Sequence, residues 1–294
     1  MLFDTTKSIL QEIQLKELKN RGIKLFVKRD DLIHSEVSGN KWRKLKYIIE
    51  HFKQSKKEHL LTFGGAYSNH LLATASACNS IGIKSIGMVR GEELNQNSND
   101  LLQKCTQLGM KLHFISREEY SLRNMKEYHE DLIIRFPNSY IVPEGGAMYY
   151  GMIGCQEIIK ELPPFDHLFV AQGTSTTSCG VLLGIKNQSL HVVPSIKNYD
   201  SKAEMSLLFR KSGFDDDTID ELLSPIHVHT DYHFGGYAKT TEELSQFIEY
   251  CNTELNLPLD KVYTAKAFYC LMQEIKKEKF NNSTIIFLHT GGIF

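Results

Sequence analysis

Lys41, Arg43 and Lys44 crowd the run SGNKWRKL, residues 38–45. They stand between a small, turn-forming Ser-Gly-Asn and a helix whose apolar positions Leu45, Ile48 and Ile49 recur at helical spacing. Three cations at a helix start oppose the helix dipole, which favours negative charge there. One reading is plain: Asn40 caps the helix and the cations are solvated. The other is that one lysine is held there for chemistry, beside an anionic partner.

Three glycine loops offer seats for such a partner. In GGAYSNH, residues 64–70, a Gly-Gly turn leads to Ser68 and Asn69 at the start of a helix, where free N–H groups and small polar side chains suit a carboxylate or a phosphate. QGTSTTSCG, residues 172–180, presents Thr174, Ser175, Thr176 and Thr177 as hydroxyl donors beside backbone N–H groups, the makings of a phosphate cradle. It is not a P-loop, since no Gly-Lys-Ser/Thr follows, nor the dinucleotide pattern G-x-G-x-x-G. HTGG, residues 289–292, forms the third loop after a strand. Singly each loop reads as a turn; with a lysine in a Gly-Asn-Lys turn they read as a site.

The elements that must carry these loops alternate. Strands are expected at 24–30, 59–65, 84–91, 111–116, 139–146, 167–173 and 283–292. Helices are expected from the Lys41 run, over 68–82 with Gly82 as C-cap, over 97–109 and through GCQEIIKEL (154–162). At least five strand–glycine–helix alternations imply an α/β chain of open, twisted, mostly parallel sheets flanked by helices. Ligands in such folds bind beyond the carboxyl ends of the strands. The least regular stretch is about 185–240. A compact strand–helix unit suggests two domains: a small inserted one, 49–146, and a larger one made of 1–48 and 147–294.

Composition excludes several classes. A chain of 294 residues can build two modest domains, each with a core. Its 34 Lys and Arg against 35 Asp and Glu leave no basic excess to neutralise nucleic-acid phosphates. No apolar run reaches the roughly 18 residues of a membrane span, and MLFDTTKSILQEIQL lacks the apolar core of a secretion signal. Six scattered cysteines without a C-x-x-C pair fit reduced thiols in a cytoplasm. His227, His229, Asp231 and His233 alternate as zinc ligands on a strand can. With no helical H-E-x-x-H and no cysteine partner they read as surface or packing residues, and no metal is expected. The run DDDTIDELL reads as a helix start whose acids complement the dipole.

KRDDL (28–32), SGNKWRKL (38–45), GGAYSNH (64–70) and VPEGG (142–146) together resemble the D-cysteine desulfhydrase / 1-aminocyclopropane-1-carboxylate deaminase family. These are pyridoxal-phosphate enzymes of fold type II, the tryptophan-synthase-β-like fold. The glycine-threonine loop 173–180, GGYAKTTEEL (235–244), LDKVYTAKAFY (259–269) and the final HTGG agree, in the family's order, from about Lys24 to Gly292.

The resemblance implies that Lys41 bonds covalently to the aldehyde of pyridoxal 5'-phosphate. That requires an amine able to lose its proton near neutral pH, which partial burial and the neighbouring Arg43 and Lys44 would favour. It also implies that Asn69 faces the ring hydroxyl, that Gly173, Thr174, Ser175, Thr176 and Thr177 hold the phosphate, and that Thr264 and Thr290 lie near the pyridine nitrogen. Ser68, Asn69 and His70, with the backbone around them, are expected to hold the substrate carboxylate or assist proton transfer. Tyr237 and Tyr263 are expected to face the substrate, one of them in acid–base work.

In this family position 264 is Glu in cyclopropane deaminases and Ser or Thr in desulfhydrases, while position 290 divides into Leu and Thr. A carboxylate holds the pyridine nitrogen protonated and deepens the electron sink; a hydroxyl does so less, which suffices to expel a thiolate. Threonine at both positions therefore favours a D-cysteine desulfhydrase-like α,β-elimination to pyruvate, ammonia and sulfide. The resemblance further implies a homodimer acting on a small amino acid; the composition implies a cytoplasmic protein without nucleic-acid or membrane partners. The other readings are a cyclopropane deaminase, giving 2-oxobutyrate and ammonia, and a catalytically idle cofactor-binding relative. Two residues depart from the family. Ser175 stands where glycine is usual, which implies strain if the position needs positive φ. Tyr67 replaces a common Gln and would narrow the carboxylate side of the pocket.

Overall fold

The computed structural model describes residues 4–34, 37 and 39–292. From the amino end run β1 (Leu10–Ile13), α1 (Lys16–Asn20), β2 (Lys24–Arg29), α2 (Asn40–Gln54), β3 (His59–Gly65) and α3 (Asn69–Ser80). Next come β4 (Lys84–Arg90), α4 (Asp100–Gln107), β5 (Lys111–Ile115), α5 (Arg117–Ser121), α6 (Lys126–Arg135) and β6 (Ser139–Val142). Then follow α7 (Tyr149–Lys160), β7 (His167–Gln172), α8 (Thr176–Leu182), β8 (Ser189–Pro194), α9 (Ser201–Lys211) and α10 (Asp216–Leu223). The chain ends with β9 (Ile226–Val228), α11 (Glu242–Leu255), α12 (Thr264–Lys276) and β10 (Thr284–His289).

Among the described residues the strands form two sheets, β1-β2-β10-β7-β8-β9 and β5-β4-β3-β6. Every pairing is parallel except that of β1 with β2. Parallel strands are covered by helices on both faces, so they read as unbroken apolar runs rather than alternating ones. Leu60, Leu61 and Phe63 of β3, Leu168, Phe169 and Val170 of β7, and Ile285 to Leu288 of β10 are all buried. The smaller sheet uses only residues 59–142; the larger takes its strands from both sides of that segment. Helix α2 joins the two. Its Trp42, Leu45, Ile48, Ile49 and Phe52 pack with Leu60, Ala73, Ala77 and Val142 of the smaller unit. On its other side α7 approaches so closely that a Cβ at Gly154 would overlap the Arg43 carbonyl.

The α/β architecture expected from the alternating pattern is present, with α3 ending at Ser80 just before Gly82 at φ +70°. Two regions differ from expectation. The stretch 185–240 is regular: it holds β8, α9, α10 and β9, with Asp200 capping α9 through Ala203 N–H at 3.0 Å and Asp215 capping α10 through Thr218 N–H at 2.8 Å. β1, four residues at a sheet edge, is too short to show a period. Among the described residues no helix is long and apolar enough to cross a membrane, and all six cysteines are buried and unpaired.

Candidate active site

Helix α2 starts against the chain that leaves β10. Gly39, at its N-cap, has φ +59°, and a Cβ there would overlap the Thr290 carbonyl oxygen, so only glycine fits. Asn40 is the first helical residue and not the cap. Its N–H donates to the Thr290 carbonyl at 3.2 Å and its side-chain Nδ2 donates to Thr177 Oγ1 at 2.7 Å. The residue before Lys41 therefore ties the loop after β10 to the start of α8. Ser38, the first residue of the run, lies outside the described residues.

The three cations have three different environments. Arg43 is buried in a fork-to-fork ion pair with Asp30, at 2.7 Å from both Nε and Nη2, and also donates to Glu161 at 2.7 and 2.8 Å. Lys28 completes this network through Glu161 at 2.8 Å. Lys44 is equally buried, yet among the described residues no carboxylate pairs with it, and burial holds its amine below the ordinary range. Lys41 is brought down to about 8 by burial first and by the Lys44 charge second, with Asp260 opposing. This corrects one expectation: Arg43, neutralised by Asp30 and Glu161, does not depress Lys41, whereas Lys44 does.

The glycine loops gather around this point. Ser68 caps α3, accepting from Leu71 N–H at 3.4 Å, and Asn69 begins the helix. His70 is buried, with Nε2 at 2.9 Å from Thr62 Oγ1. Thr62 gives its only hydroxyl proton to the Val142 carbonyl at 2.9 Å, so Nε2 of His70 carries the ring hydrogen and Nδ1 is a lone pair. That Nδ1 is buried and has no partner among the described residues. Burial, then Lys44 and Lys41, hold His70 at about 3, so the ring is neutral.

On the larger sheet, Ser175, Thr176 and Thr177 are buried at the turn from β7 into α8, and Ser175 has φ +60°. A Cβ at Gly173 would sit 3.3 Å from the Tyr263 ring, which lies 6.1 Å from that of Tyr237. Burial and the neighbouring Tyr237 raise the Tyr263 phenol well above its usual value. Thr264 gives its hydroxyl proton to Asp260 Oδ2 at 2.5 Å and accepts Asp260 N–H at 2.9 Å. Thr290 is buried, while Tyr67 is 75% exposed.

His227, His229, Asp231 and His233 do not converge on a point. His229 Nε2 meets His191 Nδ1 at 2.9 Å, His227 stacks on His191, and His233 Nδ1 accepts Gly235 N–H at 3.0 Å. Among the described residues no group of three or more His, Cys, Asp or Glu side chains is arranged to hold a metal ion.

A family model described as pyridoxal-phosphate dependent enzyme matches residues 10–291. The chain belongs to that family. It is 32% identical over 291 residues to "Putative 1-aminocyclopropane-1-carboxylate deaminase" of Pyrococcus abyssi, covering 92% of this chain and 85% of the relative. It is 29% identical over 305 residues to "Bifunctional D-cysteine desulfhydrase/1-aminocyclopropane-1-carboxylate deaminase, mitochondrial" of Arabidopsis thaliana, covering 92% and 73%. A solved structure described as "Crystal Structure Analysis of the ACC deaminase homologue" superposes with a TM-score of 0.81 at 26% identity, covering all of this chain and 91% of the other.

The residues present fit the cofactor of this pyridoxal-phosphate enzyme. Lys41 supplies an amine that is partly neutral at physiological pH. Lys44 is a buried amine with no carboxylate partner among the described residues, and Asn40 Oδ1 and His70 Nδ1 are buried polar atoms without a partner among the described residues. Two residues around the site, Lys44 and Asp260, escaped the sequence reading. Lys44 lies inside the recognised run, but nothing local shows that it is buried unpaired. Asp260 gives no signal beyond being a helix-capping type four residues before Thr264.

Proposed function

We propose that this enzyme is a D-cysteine desulfhydrase-like lyase that converts D-cysteine and water to pyruvate, ammonia and hydrogen sulfide, as a cytoplasmic homodimer. The observation that carries the site is Lys41, its amine lowered to about 8, next to the buried Lys44, which has no carboxylate partner among the described residues. When bound, pyridoxal phosphate withdraws electrons from the substrate Cα, so that the Cα–H bond and then the bond to a β leaving group can break.

The chain's own residues divide the remaining work. Lys41, a minority of which is neutral at pH 7 with its amine near 8, would anchor the cofactor and, when free, can accept a proton. Lys44 and the backbone N–H groups of the loop Gly173–Thr177, apart from that of Thr176, which donates to the Thr174 carbonyl at 2.8 Å, would bind the phosphate as fixed donors. Asn69 takes the ring hydroxyl. Ser68 and the backbone N–H groups of Asn69 and His70 at the α3 start would receive the substrate carboxylate; the His70 ring, whose one hydrogen goes to Thr62, has none to give it. Tyr263, whose phenol stays protonated, would act as a donor toward the substrate, with the Tyr237 ring 6.1 Å away beside it. The distribution of strands supports reading 1–48 with 147–294 as the larger domain and 49–146 as the smaller, with α2 crossing the boundary.

The choice of reaction rests on Thr264 and Thr290. Neither side chain is a carboxylate, and Thr264 has already given its proton to Asp260, so the ring nitrogen meets a weaker partner than glutamate. Thiolate is a good leaving group under that condition; an unactivated cyclopropane ring needs more. A second reading, cyclopropane deaminase, is favoured by the names of the relatives. Incubation with D-cysteine, β-chloro-D-alanine and the cyclopropane amino acid separates the two. Pyruvate with sulfide is expected from D-cysteine. Keto acid from neither D-amino acid overturns the proposal, and 2-oxobutyrate as the main product replaces it with the second reading. Sedimentation at twice the chain mass tests the dimer.

A further inference from the structure

Ser175 is buried in a left-handed conformation that an L side chain rarely adopts, φ +60° and ψ −14°, where the resembling family carries glycine. Its side chain is fully committed. Ser175 Oγ lies 2.9 Å from Gln172 Nε2 and 3.2 Å from Tyr199 Oη, and Tyr199 donates to the Gly173 carbonyl at 2.8 Å.

The hydrogens can be assigned by counting. The phenol has one, and the carbonyl of Gly173 takes it. Ser175 must therefore donate its own hydrogen to Tyr199, and Gln172 must present its N–H to Ser175. The bonds run Gln172 to Ser175 to Tyr199 to Gly173, beginning at the last residue of β7 and ending at the first residue of the loop that joins it to α8. Burial raises the Tyr199 phenol to about 12, so it remains a donor throughout the working range. Ser175 Oγ has thus spent its one hydrogen inside the protein and has none to give a phosphate.

We propose that Gln172, Ser175 and Tyr199 form a clasp that holds the phosphate loop in its strained shape, making Ser175 and Tyr199 positioning residues for the cofactor phosphate rather than its ligands. This rests on reading Gly173–Thr177 as the phosphate loop. The clasp replaces the freedom of glycine by enforced geometry. The loop's N–H groups are already oriented when the phosphate arrives, and Tyr199, from the segment between β8 and α9, fixes them against the larger sheet.

The test compares pyridoxal phosphate with pyridoxal, which lacks the phosphate, on full-length protein resolved of cofactor and titrated by visible absorbance. The unaltered protein is expected to prefer the phosphorylated form. Y199F and S175A should each weaken pyridoxal phosphate about tenfold, or about 1.4 kcal/mol, and leave pyridoxal within about twofold. The double variant should be no weaker than the worse single one, because the two residues act through one chain of bonds. S175G, which relieves the strain but loses the clasp, should also bind more weakly than the parent. Equal or tighter binding by S175G, or losses that multiply in the double variant, overturns the clasp. So does a parallel loss of pyridoxal, which marks general loosening. If S175A does not fold, Y199F and S175G carry the same comparison. A parent protein that binds both forms equally overturns the loop reading itself, which is a different failure from variants that keep the parent's preference.

Discussion

Two groups of buried titratable side chains lie in this molecule, and their bonding differs. In the histidine row on the larger sheet, His191 Nδ1 meets His229 Nε2 at 2.9 Å and its Nε2 meets His167 Nδ1 at 3.2 Å. The ring stacks on Phe169 at 4.2 Å. Burial, and then the neighbouring histidines, bring His191 down to about 2. It is neutral, both nitrogens are satisfied, and the row is packing. At the start of α2, Arg43 is matched by Asp30 and Glu161, while Lys44 has no described carboxylate and Lys41 is poised near neutrality. Chemistry is to be sought where burial leaves a group short of a partner, not wherever titratable groups cluster.

The largest break in this comparison is expected at Lys41. K41A or K41R should abolish the visible absorbance of covalently held cofactor and lower keto-acid formation by about 10³-fold or more; turnover retained in K41R would falsify its role. Next in size is pH. The rate at which resolved protein takes up cofactor should climb about tenfold per unit below pH 8, as the Lys41 amine loses its proton, and level off above. A rate already flat from pH 6 upward contradicts a lysine poised near 8.

K44M sharpens the contrast from the other side. Removing a buried amine that has no carboxylate partner among the described residues should leave the cofactor-free protein as stable as before or more so, as read by its melting temperature. Losing a charged phosphate donor should weaken pyridoxal phosphate by roughly 10- to 100-fold. A drop in stability without a drop in affinity makes Lys44 structural.

The smallest effect belongs to the histidines. His191 titrates near 6.5 when free and at about 2 when folded, so below pH 6.5 the unfolded chain binds the extra proton. Its contribution to stability is complete above that pH and is lost as pH falls, by at most about 1.4 kcal/mol per unit. H191Q should flatten this slope in acid unfolding and leave turnover on D-cysteine within about twofold. A turnover loss beyond that moves the histidine row into the site.

The sequence alone carried the strand and helix succession, because buried parallel strands and amphipathic helices leave local periods. β3, β7 and β10 can be read directly from HLLTFGG, HLFVAQ and TIIFLH, with two glycines closing β3 and glycine in the loops that follow β7 and β10. It also pointed to Lys41 as the candidate amine, because the Gly-Asn-Lys turn and companion glycine loops are contiguous motifs. β1 and the order within 185–240 were not legible, since a four-residue edge strand and a three-residue β9 are held by pairing rather than by their own pattern.

Tertiary structure decided what each polar group meets. Three cations within four residues look alike in sequence. Arg43 is neutralised by Asp30 and Glu161, 13 and 118 residues away, and Lys44 by no described residue. Ser175 is held by Tyr199, 24 residues on, and Asn40 by Thr177, 137 residues on. The physical reason is that burial and hydrogen-bond partnership belong to neighbourhoods assembled from distant segments, whereas periodicity and turn chemistry are properties of a few consecutive residues.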